Sequence, residues 1–515
     1  SETQMNVYEH VRHSMRQRPE AAAMIQPDGS DITYRELDRQ ARAVSAWLAK
    51  NGITENQRVA LYLPDGPSFL PVVLGIWRAG CVSAPLNIRF GYEELKYVLE
   101  DISPHAMITS DTFSSNSAKL TEEVRSLNQE TVVEAQTDGS FNYNRFPSPE
   151  SAGEPATRLD DEIASLMYTS GTTGKPKGVI NTHGNVRSAI QGGVSMLDIG
   201  ETDTAFIAAP LFHAGSLYGP PFMILFEGGS LSILQDWDAE SWARLVEDTS
   251  ATIGGLVPAM ITDVINTQPA HEFDTSSIRL IFYGGNSTPG PILEEFKDIT
   301  GTDRMIDYYG QTENAGLSVT YDIENERRPG AMGKPTPATE AKVVDIETGE
   351  PVSAGESGEL LLRGDNITPG YWERSELNET LFTDGWLHTQ DVVSRDEDGY
   401  LHYKDRLDDM IISGGENVAA SEVEEVLQKM PEVAEVAVMG TPHERLGETV
   451  TAVVVSEDDT LTGDDIRAFC EEGGRLAGYK KPRRVFFVEQ FPRTGSQKVD
   501  KTTLYEQILE KIDQA

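Results

Sequence analysis

Short apolar runs alternate with longer amphipathic stretches between residue 58 and about residue 310. RVALYLP at 58–64 and SIRLIFYGG at 277–285 are rich in β-branched and aromatic residues, as buried strands are. PILEEFKDIT at 291–300 instead spaces its apolar residues as the buried face of a helix does. This alternation predicts an α/β protein whose mostly parallel sheets are covered by helices on both faces.

Two later changes in the pattern divide the chain. From about residue 340 to 405, strand-like segments are separated by glycine and aspartate, which predicts a β-rich subdomain. After residue 405, helix-like and strand-like segments alternate over a length that is sufficient for an independent domain. We therefore expect a large N-terminal domain at 1–405 and a small α+β C-terminal domain at 406–515. The polar stretch from 128 to 158 is expected to form a surface loop.

Composition narrows the classes of function. The 515 residues are too many for a small disulfide scaffold or for one ordinary core. The formal net charge of −40 disfavours a nucleic-acid-binding protein, because phosphate backbones are recognised by basic surfaces. Acidic residues spread along the whole chain are typical of halophilic proteins, and an acidic mesophilic protein is the alternative.

The cysteines and the apolar segments bear on the compartment. Cys81 and Cys470 lie far apart and outside any CxxC pair, so neither a disulfide framework nor a zinc knuckle is indicated. The apolar runs are far shorter than the roughly 20 residues of a membrane span, and the N-terminus carries no basic-then-apolar leader. We expect a cytoplasmic protein with no membrane span.

A segment of hydroxyls, glycines and lysines directly follows an apolar strand. Glycines let backbone N–H groups approach an anion, hydroxyls add donors and lysines add positive charge, so this composition predicts a phosphate site. The spacing differs from a Walker A loop, because two residues separate Gly171 from Gly174 and a proline follows Lys175. The candidate phosphate-binding residues are Thr169, Ser170, Gly171, Thr172, Thr173, Gly174, Lys175 and Lys177.

This segment resembles the phosphate loop of the adenylate-forming superfamily, which includes acyl-CoA synthetases, aryl-CoA ligases, luciferases and the adenylation domains of peptide synthetases. Further segments match in order and spacing, so the resemblance covers nearly the whole chain. It implies ATP, Mg²⁺ and CoA as cofactors and co-substrates. It also implies that the small C-terminal domain is mobile and that the protein is a monomer or a homodimer.

Three segments of the large domain and its β-rich part resemble the family's nucleotide-binding elements. In Tyr309-Gly310-Gln311-Thr312-Glu313, the resemblance places Tyr309 against adenine, Thr312 at the α-phosphate and Glu313 at magnesium. Oxygen ligands beside phosphates suit a hard cation. The remaining candidates are Gly284, Gly285 and Asn286 on the adenine side, where asparagine replaces the family's usual alanine, and Asp391 at the ribose hydroxyls, where Gln390 replaces the preceding glycine.

The C-terminal segments resemble the family's hinge, glycine loop and catalytic-lysine loop. The resemblance assigns Arg406 to the nucleotide, Asp408 to the pivot, Gly414 and Gly415 to the thiol tunnel and Lys498 to catalysis. Rotation near Asp408 would withdraw Lys498 after adenylate formation and deliver the tunnel. The adenylation step brings a carboxylate to an anionic phosphate, so positive charge from Lys498 and magnesium is needed where negative charge accumulates.

The sequence gives weaker signals for the acid substrate and for the acceptor of the acyl group than for the nucleotide. His213, Gly215 and Tyr218 lie in a stretch that resembles the border of the acyl pocket, and His213 stands where amino-acid-activating relatives commonly carry aspartate. Lys480 belongs to a basic stretch, 479–484, that resembles a CoA-phosphate site and is alternatively a basic surface loop. The expected function is an AMP-forming carboxylic acid:CoA ligase of fatty acid metabolism. A stand-alone enzyme that loads a carrier protein and a catalytically silent homologue are the alternatives.

The charge gives a first prediction. Self-repulsion at a net charge of −40 should leave little adenylation activity below about 0.5 M KCl, and activity should rise as salt screens the surface. Activity and melting temperature measured across a KCl series test this. Full activity together with an unchanged melting temperature in dilute buffer would exclude salt adaptation.

Overall fold

The computed structural model describes residues 6–26, 28–137, 140–169, 175–284, 290–414, 416–472, 475–476, 478–493 and 498–513. The chain divides into two compact units. The first comprises residues 1–170, 176–341 and 362–387, and the second comprises residues 171–175, 342–361 and 388–515. Within the described residues, no helix has the length and apolar character needed to cross a membrane.

The strands are numbered in chain order. The first nine are β1 (Ala22–Met24), β2 (Ile32–Thr33), β3 (Arg58–Tyr62), β4 (Val82–Pro85), β5 (Ala106–Ser110), β6 (Val132–Thr137), β7 (Ser140–Phe141), β8 (Ile163–Thr169) and β9 (Lys177–Thr182). The next seven are β10 (Thr204–Ile207), β11 (Ser230–Ile233), β12 (Ile253–Leu256), β13 (Leu280–Tyr283), β14 (Arg304–Tyr309), β15 (Val319–Thr320) and β16 (Lys334–Pro335). The last ten are β17 (Thr339–Val344), β18 (Ser357–Gly364), β19 (Phe382–Thr383), β20 (Trp386–Arg395), β21 (Leu401–Arg406), β22 (Met410–Ser413), β23 (Glu416–Ala419), β24 (Glu435–His443), β25 (Gly447–Val455) and β26 (Arg484–Phe487).

The helices are numbered in the same way. Those before residue 230 are α1 (Val7–Gln17), α2 (Tyr34–Lys50), α3 (Phe69–Arg78), α4 (Tyr92–Ile102), α5 (Ser114–Glu123), α6 (His183–Leu197), α7 (Ala214–Leu217) and α8 (Pro220–Glu227). Those after it are α9 (Ala239–Thr249), α10 (Pro258–Asn266), α11 (Gly290–Thr300), α12 (Ser375–Leu381), α13 (Ala420–Gln428), α14 (Gly463–Glu471) and α15 (Lys501–Asp513). Side chains that accept backbone N–H groups begin several of them, including Thr33 before α2, Thr182 before α6 and Asp238 before α9.

Strands β3 to β9 form a seven-stranded sheet in the order β7-β6-β5-β3-β4-β8-β9. The strands from β6 to β8 in this order are parallel, and β7 and β9 add antiparallel edges. Ala60, Ala84 and Leu166 of the sheet share a buried cluster with Leu95 and Leu99 of α4. The parallel strands therefore bury their apolar residues against helices, as the alternating sequence pattern predicts.

The second large sheet has nine strands in the order β16-β15-β14-β13-β12-β10-β11-β1-β2. Its six central strands are parallel, whereas β2, β15 and β16 are antiparallel. The ring of Phe206 packs edge-on against Trp242 of α9 with 5.5 Å between centroids. A Cβ atom on Gly254 would lie 2.3 Å from the Phe206 ring, so glycine at 254 allows this ring to lie on the backbone of β12.

Two five-stranded sheets complete the fold. One has the order β17-β18-β20-β19, with β21 paired to β20, and its residues are divided between the two units. The other, in the second unit, has the order β23-β22-β25-β24, with β26 paired to β25. Alternate residues of β24 serve two cores: Val438 packs with α13 and α14, whereas Ala437 and Met439 pack with Leu504 and Ile508 of α15.

The predicted fold class is confirmed. The segments read as strands at 58–64 and 277–285 contain β3 and β13, and the segment read as a helix at 291–300 coincides with α11. The prediction of a polar surface loop over 128–158 is wrong, because β6 lies within it and joins the seven-stranded sheet. In β6 the buried Val133 and Ala135 alternate with polar residues, so no continuous apolar run marks this strand in the sequence. The division at residues 405 and 406 stays a prediction.

Asp203 ties together three neighbouring parallel strands of the nine-stranded sheet. Its two carboxylate oxygens each accept a hydrogen bond from the Arg279 guanidinium at 2.8 Å. The Thr252 hydroxyl donates to it at 2.8 Å and the Gly200 N–H donates at 2.9 Å. Burial raises the pKa of Asp203, but the hydrogen bonds from Arg279, Gly200 and Thr252 outweigh it and hold the pKa below the usual 3.8. The ionised carboxylate therefore stabilises the fold above pH 3.8, and this contribution is lost as the pH falls through the lowered pKa.

Removing the Asp203 carboxylate should lower the stability of the fold. We expect Asp203→Ala to lower the free energy of unfolding by about 3 kcal/mol at neutral pH, because Arg279 then loses its buried partner. Urea unfolding in a fixed KCl concentration measures the loss, and the difference from wild type should shrink below pH 3.8. The matched control is Glu240→Ala, which removes an exposed ion pair of 2.8 Å with Arg244 and should cost no more than about 0.5 kcal/mol. Equal losses in the two variants would contradict the role given to Asp203.

Candidate functional site

A cavity of about 190 Å³ lies in the first unit, at the carboxyl ends of four parallel strands of the nine-stranded sheet. The strands are β10, β12, β13 and β14, and ligands of open α/β sheets bind at such ends. The cavity is lined by Phe206, Ile207, Ala208, Ala209, His213, Gly215, Ser216, Pro220, Gly255, Leu256, Val257, Phe282, Gly284, Tyr308, Gly310 and Gly316. No carboxylate, ammonium or guanidinium group belongs to this described lining, so the cavity suits an uncharged group.

Aromatic rings and glycine backbone shape the cavity. Phe282 and Tyr308 stack with 5.0 Å between ring centroids and 26° between ring planes. Burial raises the pKa of the Tyr308 phenol well above its usual value, so this hydroxyl stays protonated at neutral pH. A Cβ atom on Gly255 would lie 3.0 Å from the Phe282 ring, and its absence leaves space in the wall.

The stretch that carries His213 and Gly215 forms another part of the lining. The Leu211 N–H donates to the buried Asp65 carboxylate at 3.0 Å, and burial raises the pKa of Asp65 to about 6. His213 precedes the short helix α7, and its ring lies 4.5 Å from the ring of Phe212. Tyr218 lies outside this lining, and its buried hydroxyl pairs with Ser165. The role of Tyr218 in acid binding stays a prediction.

Tyr309 ends β14, and residues 310–313 form a tight turn directly after it. Thr312–Asn314 is one turn of 3-10 helix, and the Asn314 side chain accepts the Gln311 N–H at 2.8 Å. A Cβ atom on Gly310 would lie 1.9 Å from the Gly316 carbonyl oxygen, so the two ends of the turn approach more closely than any larger residue allows. The Asn181 side chain of β9 donates to the Thr312 carbonyl at 3.1 Å. The backbone of the turn is thus fixed by one hydrogen bond within the turn and by another from β9 of the seven-stranded sheet.

Glu313 is held at both its backbone and its carboxylate. The Thr368 N–H donates to the Glu313 carbonyl at 2.8 Å, and the Tyr371 hydroxyl donates to Glu313 Oε1 at 2.9 Å. No group of three His, Cys, Asp or Glu side chains that could hold a metal ion occurs in the described part of the chain. A single fixed carboxylate fits Mg²⁺, because this ion usually takes one or two carboxylates and completes its shell with water and substrate phosphates.

The predicted phosphate loop joins β8 to β9. Thr169 and Lys177 are paired across these antiparallel strands, and Lys177 Nζ lies 4.9 Å from the centre of the Tyr371 ring. The predicted residues Ser170, Gly171, Thr172, Thr173 and Gly174 lie outside the described residues, as do Gly285, Asn286 and Gly415. Lys175 is exposed and belongs to the second unit. Within the first unit, Lys177 and Glu313 both contact the side chain of Tyr371.

The other predicted residues lie in the second unit. Asp391 on β20 is 3% exposed and pairs with Arg406 at the end of β21 at 2.8 Å. Asp408 is exposed in a 3-10 turn after β21, and Gly414 follows β22 with a φ of 61°. Lys480 Nζ contacts both carboxylate oxygens of Glu422 at 2.8 Å, and Lys498 is exposed beside the Arg493–Val499 bridge.

Comparison with protein families accounts for this arrangement. Residues 11–372 match the model of the AMP-binding enzyme family, and residues 422–498 match that of the AMP-binding enzyme C-terminal domain. The chain belongs to the AMP-binding enzyme family. The predicted family is therefore confirmed, and the chain falls in the class of AMP-forming acid–thiol ligases.

Individual relatives of this AMP-binding enzyme are similar over almost their whole length. Feruloyl-CoA synthase of Amycolatopsis sp is 35% identical over 491 residues, which cover 94% of this chain and 95% of that protein. The long-chain-fatty-acid–CoA ligase FadD13 of Mycobacterium tuberculosis is 33% identical over 501 residues, which cover 95% and 96%. The crystal structure of ATP-bound MatB from Rhodopseudomonas palustris matches with a TM-score of 0.86 and 29% identity, over 98% of this chain and 99% of that one.

Several residues of the site in this AMP-binding enzyme are not identified by the sequence alone. Phe206, Phe282 and Tyr308 line the cavity from the ends of β10, β13 and β14, yet in sequence they read as ordinary core residues. Their positions at the carboxyl ends of parallel strands were the available signal. Asn181, Thr368 and Tyr371 hold the Glu313 turn from distant parts of the chain, and nothing local in the sequence marks them.

The close approach at Gly310 gives a prediction for this AMP-binding enzyme. Gly310→Ala should push the turn away from Gly316, weaken AMP binding about tenfold and lower the free energy of unfolding by about 2 kcal/mol. Calorimetric titration with AMP and urea unfolding measure the two effects. Gly153→Ala is the control, because its added Cβ meets nothing within 4 Å. Wild-type AMP affinity in Gly310→Ala would show that the tight turn is not needed for the nucleotide.

Proposed function

We propose that this protein is an ATP-dependent carboxylic acid:CoA ligase that works in two steps. In the first step the acid carboxylate attacks the α-phosphorus of ATP, forming an acyl adenylate and releasing pyrophosphate. In the second step a CoA thiol attacks the acyl carbon, forming the thioester and releasing AMP. One observation carries the proposal: a single cavity runs from the uncharged pocket of β10, β12 and β13 to Gly310, at the start of the turn that presents Thr312 and Glu313.

The first step needs positive charge and hydrogen-bond donors around the phosphates. In the proposal Thr312 contacts the α-phosphate, the loop from Thr169 to Lys177 cradles the leaving pyrophosphate, and Lys498 neutralises charge at the reacting centre. Glu313 would hold Mg²⁺, whose chemistry when bound is to neutralise phosphate charge. The fixed orientation of the Glu313 carboxylate supports this assignment.

The remainder of the nucleotide is assigned to five further residues. Tyr309 would lie against adenine, with Gly284, Gly285 and Asn286 on the same side. Asp391 would accept the ribose hydroxyls. Its pairing with Arg406 supports that role, since the nearby guanidinium favours the ionised carboxylate, which is the better acceptor.

The second step is assigned to the C-terminal part of the chain. Gly414 and Gly415 would border the thiol tunnel, and Asp408 would be the pivot between domains 1–405 and 406–515. Lys480 would meet a CoA phosphate. Because Lys480 contacts both oxygens of Glu422, a phosphate must compete with this carboxylate for the ammonium.

The lining of the cavity supports a proposal for the class of acid. The pocket offers apolar and aromatic surface with His213, Ser216 and Tyr308 as its side chains that carry polar atoms. None of these side chains can pair with a substrate ammonium as a carboxylate does, so an amino acid is disfavoured. We therefore propose an uncharged aliphatic or aromatic acyl group as the substrate.

Mass spectrometry of products tests the function. The protein is mixed with ATP, Mg²⁺, CoA and a pool of short, medium, long and aromatic acids in about 2 M KCl, and we expect one or more acyl-CoA masses. AMP without a thioester would point to another acceptor, such as a carrier protein. Absence of AMP formation with every acid would refute the ligase function.

Two variants separate the steps. Lys498→Ala should reduce adenylate formation about 100-fold, because the transition state loses a cation. Asp408→Pro should reduce thioester formation more than adenylation, because proline restricts the proposed pivot. Acid-dependent exchange of pyrophosphate into ATP reports the first step, and thioester formation reports both. Equal loss of both steps in Asp408→Pro would refute the hinge.

A further inference from the structure

Tyr371 contacts two of the residues assigned to ATP but has no role in the function argued above. Its hydroxyl donates to Glu313 Oε1 at 2.9 Å, and its ring lies 4.9 Å from Lys177 Nζ. The side chain is 9% exposed and packs with Val179, Leu381 and Leu387. One buried ring therefore joins the candidate metal ligand to a candidate phosphate-binding cation.

The backbone around Tyr371 is fixed independently of its side chain. The Asn378 side chain accepts the Tyr371 N–H at 2.7 Å and donates to the Tyr371 carbonyl at 3.0 Å. The neighbouring Trp372 N–H donates to the Gly178 carbonyl of β9 at 2.8 Å. Because these bonds involve main-chain groups of residues 371 and 372, they persist when the tyrosine side chain is changed.

The hydroxyl contact controls how Glu313 presents its carboxylate. A hydrogen bond to Oε1 restricts rotation of the carboxylate and so fixes the direction in which Oε2 points. Partners of this kind orient metal ligands, and their loss typically costs 10-fold to 100-fold in metal affinity. The ring contact places the Lys177 ammonium over a π face, which holds the flexible lysine side chain through cation–π attraction.

We propose that Tyr371 is a positioning residue that orients Glu313 toward the metal of a metal–ATP complex and seats Lys177 beside the phosphates. The inference rests on the proposed function in so far as Glu313 and Lys177 are taken to bind magnesium and phosphate. It adds a residue to that site which acts through two others and does not itself touch the substrate.

Nucleotide affinity with and without magnesium tests the hydroxyl. The ligand is α,β-methylene ATP, which cannot be cleaved at the bond broken in adenylation, and its affinity is measured by calorimetry in excess Mg²⁺ and in EDTA. In Tyr371→Phe the enhancement of affinity by Mg²⁺ should fall about tenfold, while affinity in EDTA stays at the wild-type value. A wild-type enhancement in Tyr371→Phe would overturn the proposal, as would a wild-type protein whose affinity is independent of Mg²⁺.

Tyr371→Leu tests the ring. This variant should lose the same enhancement and should also bind the analogue about threefold more weakly in EDTA, because Lys177 is no longer seated. Leucine also opens space in the packed cluster, so the melting temperature of each variant is recorded. Equal EDTA affinities in Tyr371→Leu and Tyr371→Phe, with both proteins folded, would overturn the role of the ring.

Tyr8→Phe is the matched control. Tyr8 is fully buried, and its hydroxyl donates to the Asp38 carboxylate at 2.9 Å, the same length as the Tyr371 contact. Tyr8→Phe should lower stability and leave both affinities unchanged. These titrations use neither an acid nor CoA. A wild-type protein that binds the magnesium–nucleotide complex but forms no thioester would therefore refute the ligase function and leave the role of Tyr371 standing.

Discussion

Hydrogen bonds from the segment 368–372 to β9 and to the Glu313 turn hold the candidate site together. Ile180 donates to the Gly370 carbonyl at 3.1 Å, and Trp372 donates to the Gly178 carbonyl at 2.8 Å. The Thr368 N–H bonds the carbonyl of Glu313 at 2.8 Å. The strand that leaves the phosphate loop and the turn that carries the candidate metal ligand are therefore bound to one short segment. Main-chain bonds of this kind are independent of side-chain rotamers, which suits a site that must hold its geometry.

The candidate site must bind anionic substrates in a protein whose own negative charge repels them. ATP, a carboxylate and CoA are all anionic, and the chain that binds them has a net charge of −40. In the proposed function, the cations that meet the phosphates must therefore be placed individually. Lys177 is seated on an aromatic ring, and Arg406 is paired with the buried Asp391. The cavity of the first unit, in contrast, is free of charged side chains in its described lining, so the proposed site combines a polar nucleotide region with an uncharged pocket.

Much of the architecture could be predicted from the sequence. The alternating pattern identified strands such as β3 and β13 and helices such as α11, because apolar periodicity is a local property. It failed at β6, where the buried Val133 and Ala135 are each followed by a polar residue in a strand next to the sheet edge. Strand order was beyond a local pattern, since the parallel neighbours β10 and β12 are separated by β11 in the chain.

The sequence by itself determined the family and predicted the candidate nucleotide-binding residues, because the hydroxyls, glycines and lysines near 170 and the Thr312–Glu313 pair lie in short contiguous segments. Only the tertiary structure decided which distant residues complete it. Phe282 and Tyr308 stack in one wall of the cavity because the neighbouring parallel strands β13 and β14 end at the same edge, and Tyr371 contacts Glu313 although the two residues are 58 positions apart. The physical reason is that such contacts depend on strand order and on backbone pairing between remote segments, neither of which leaves a periodic mark in the sequence.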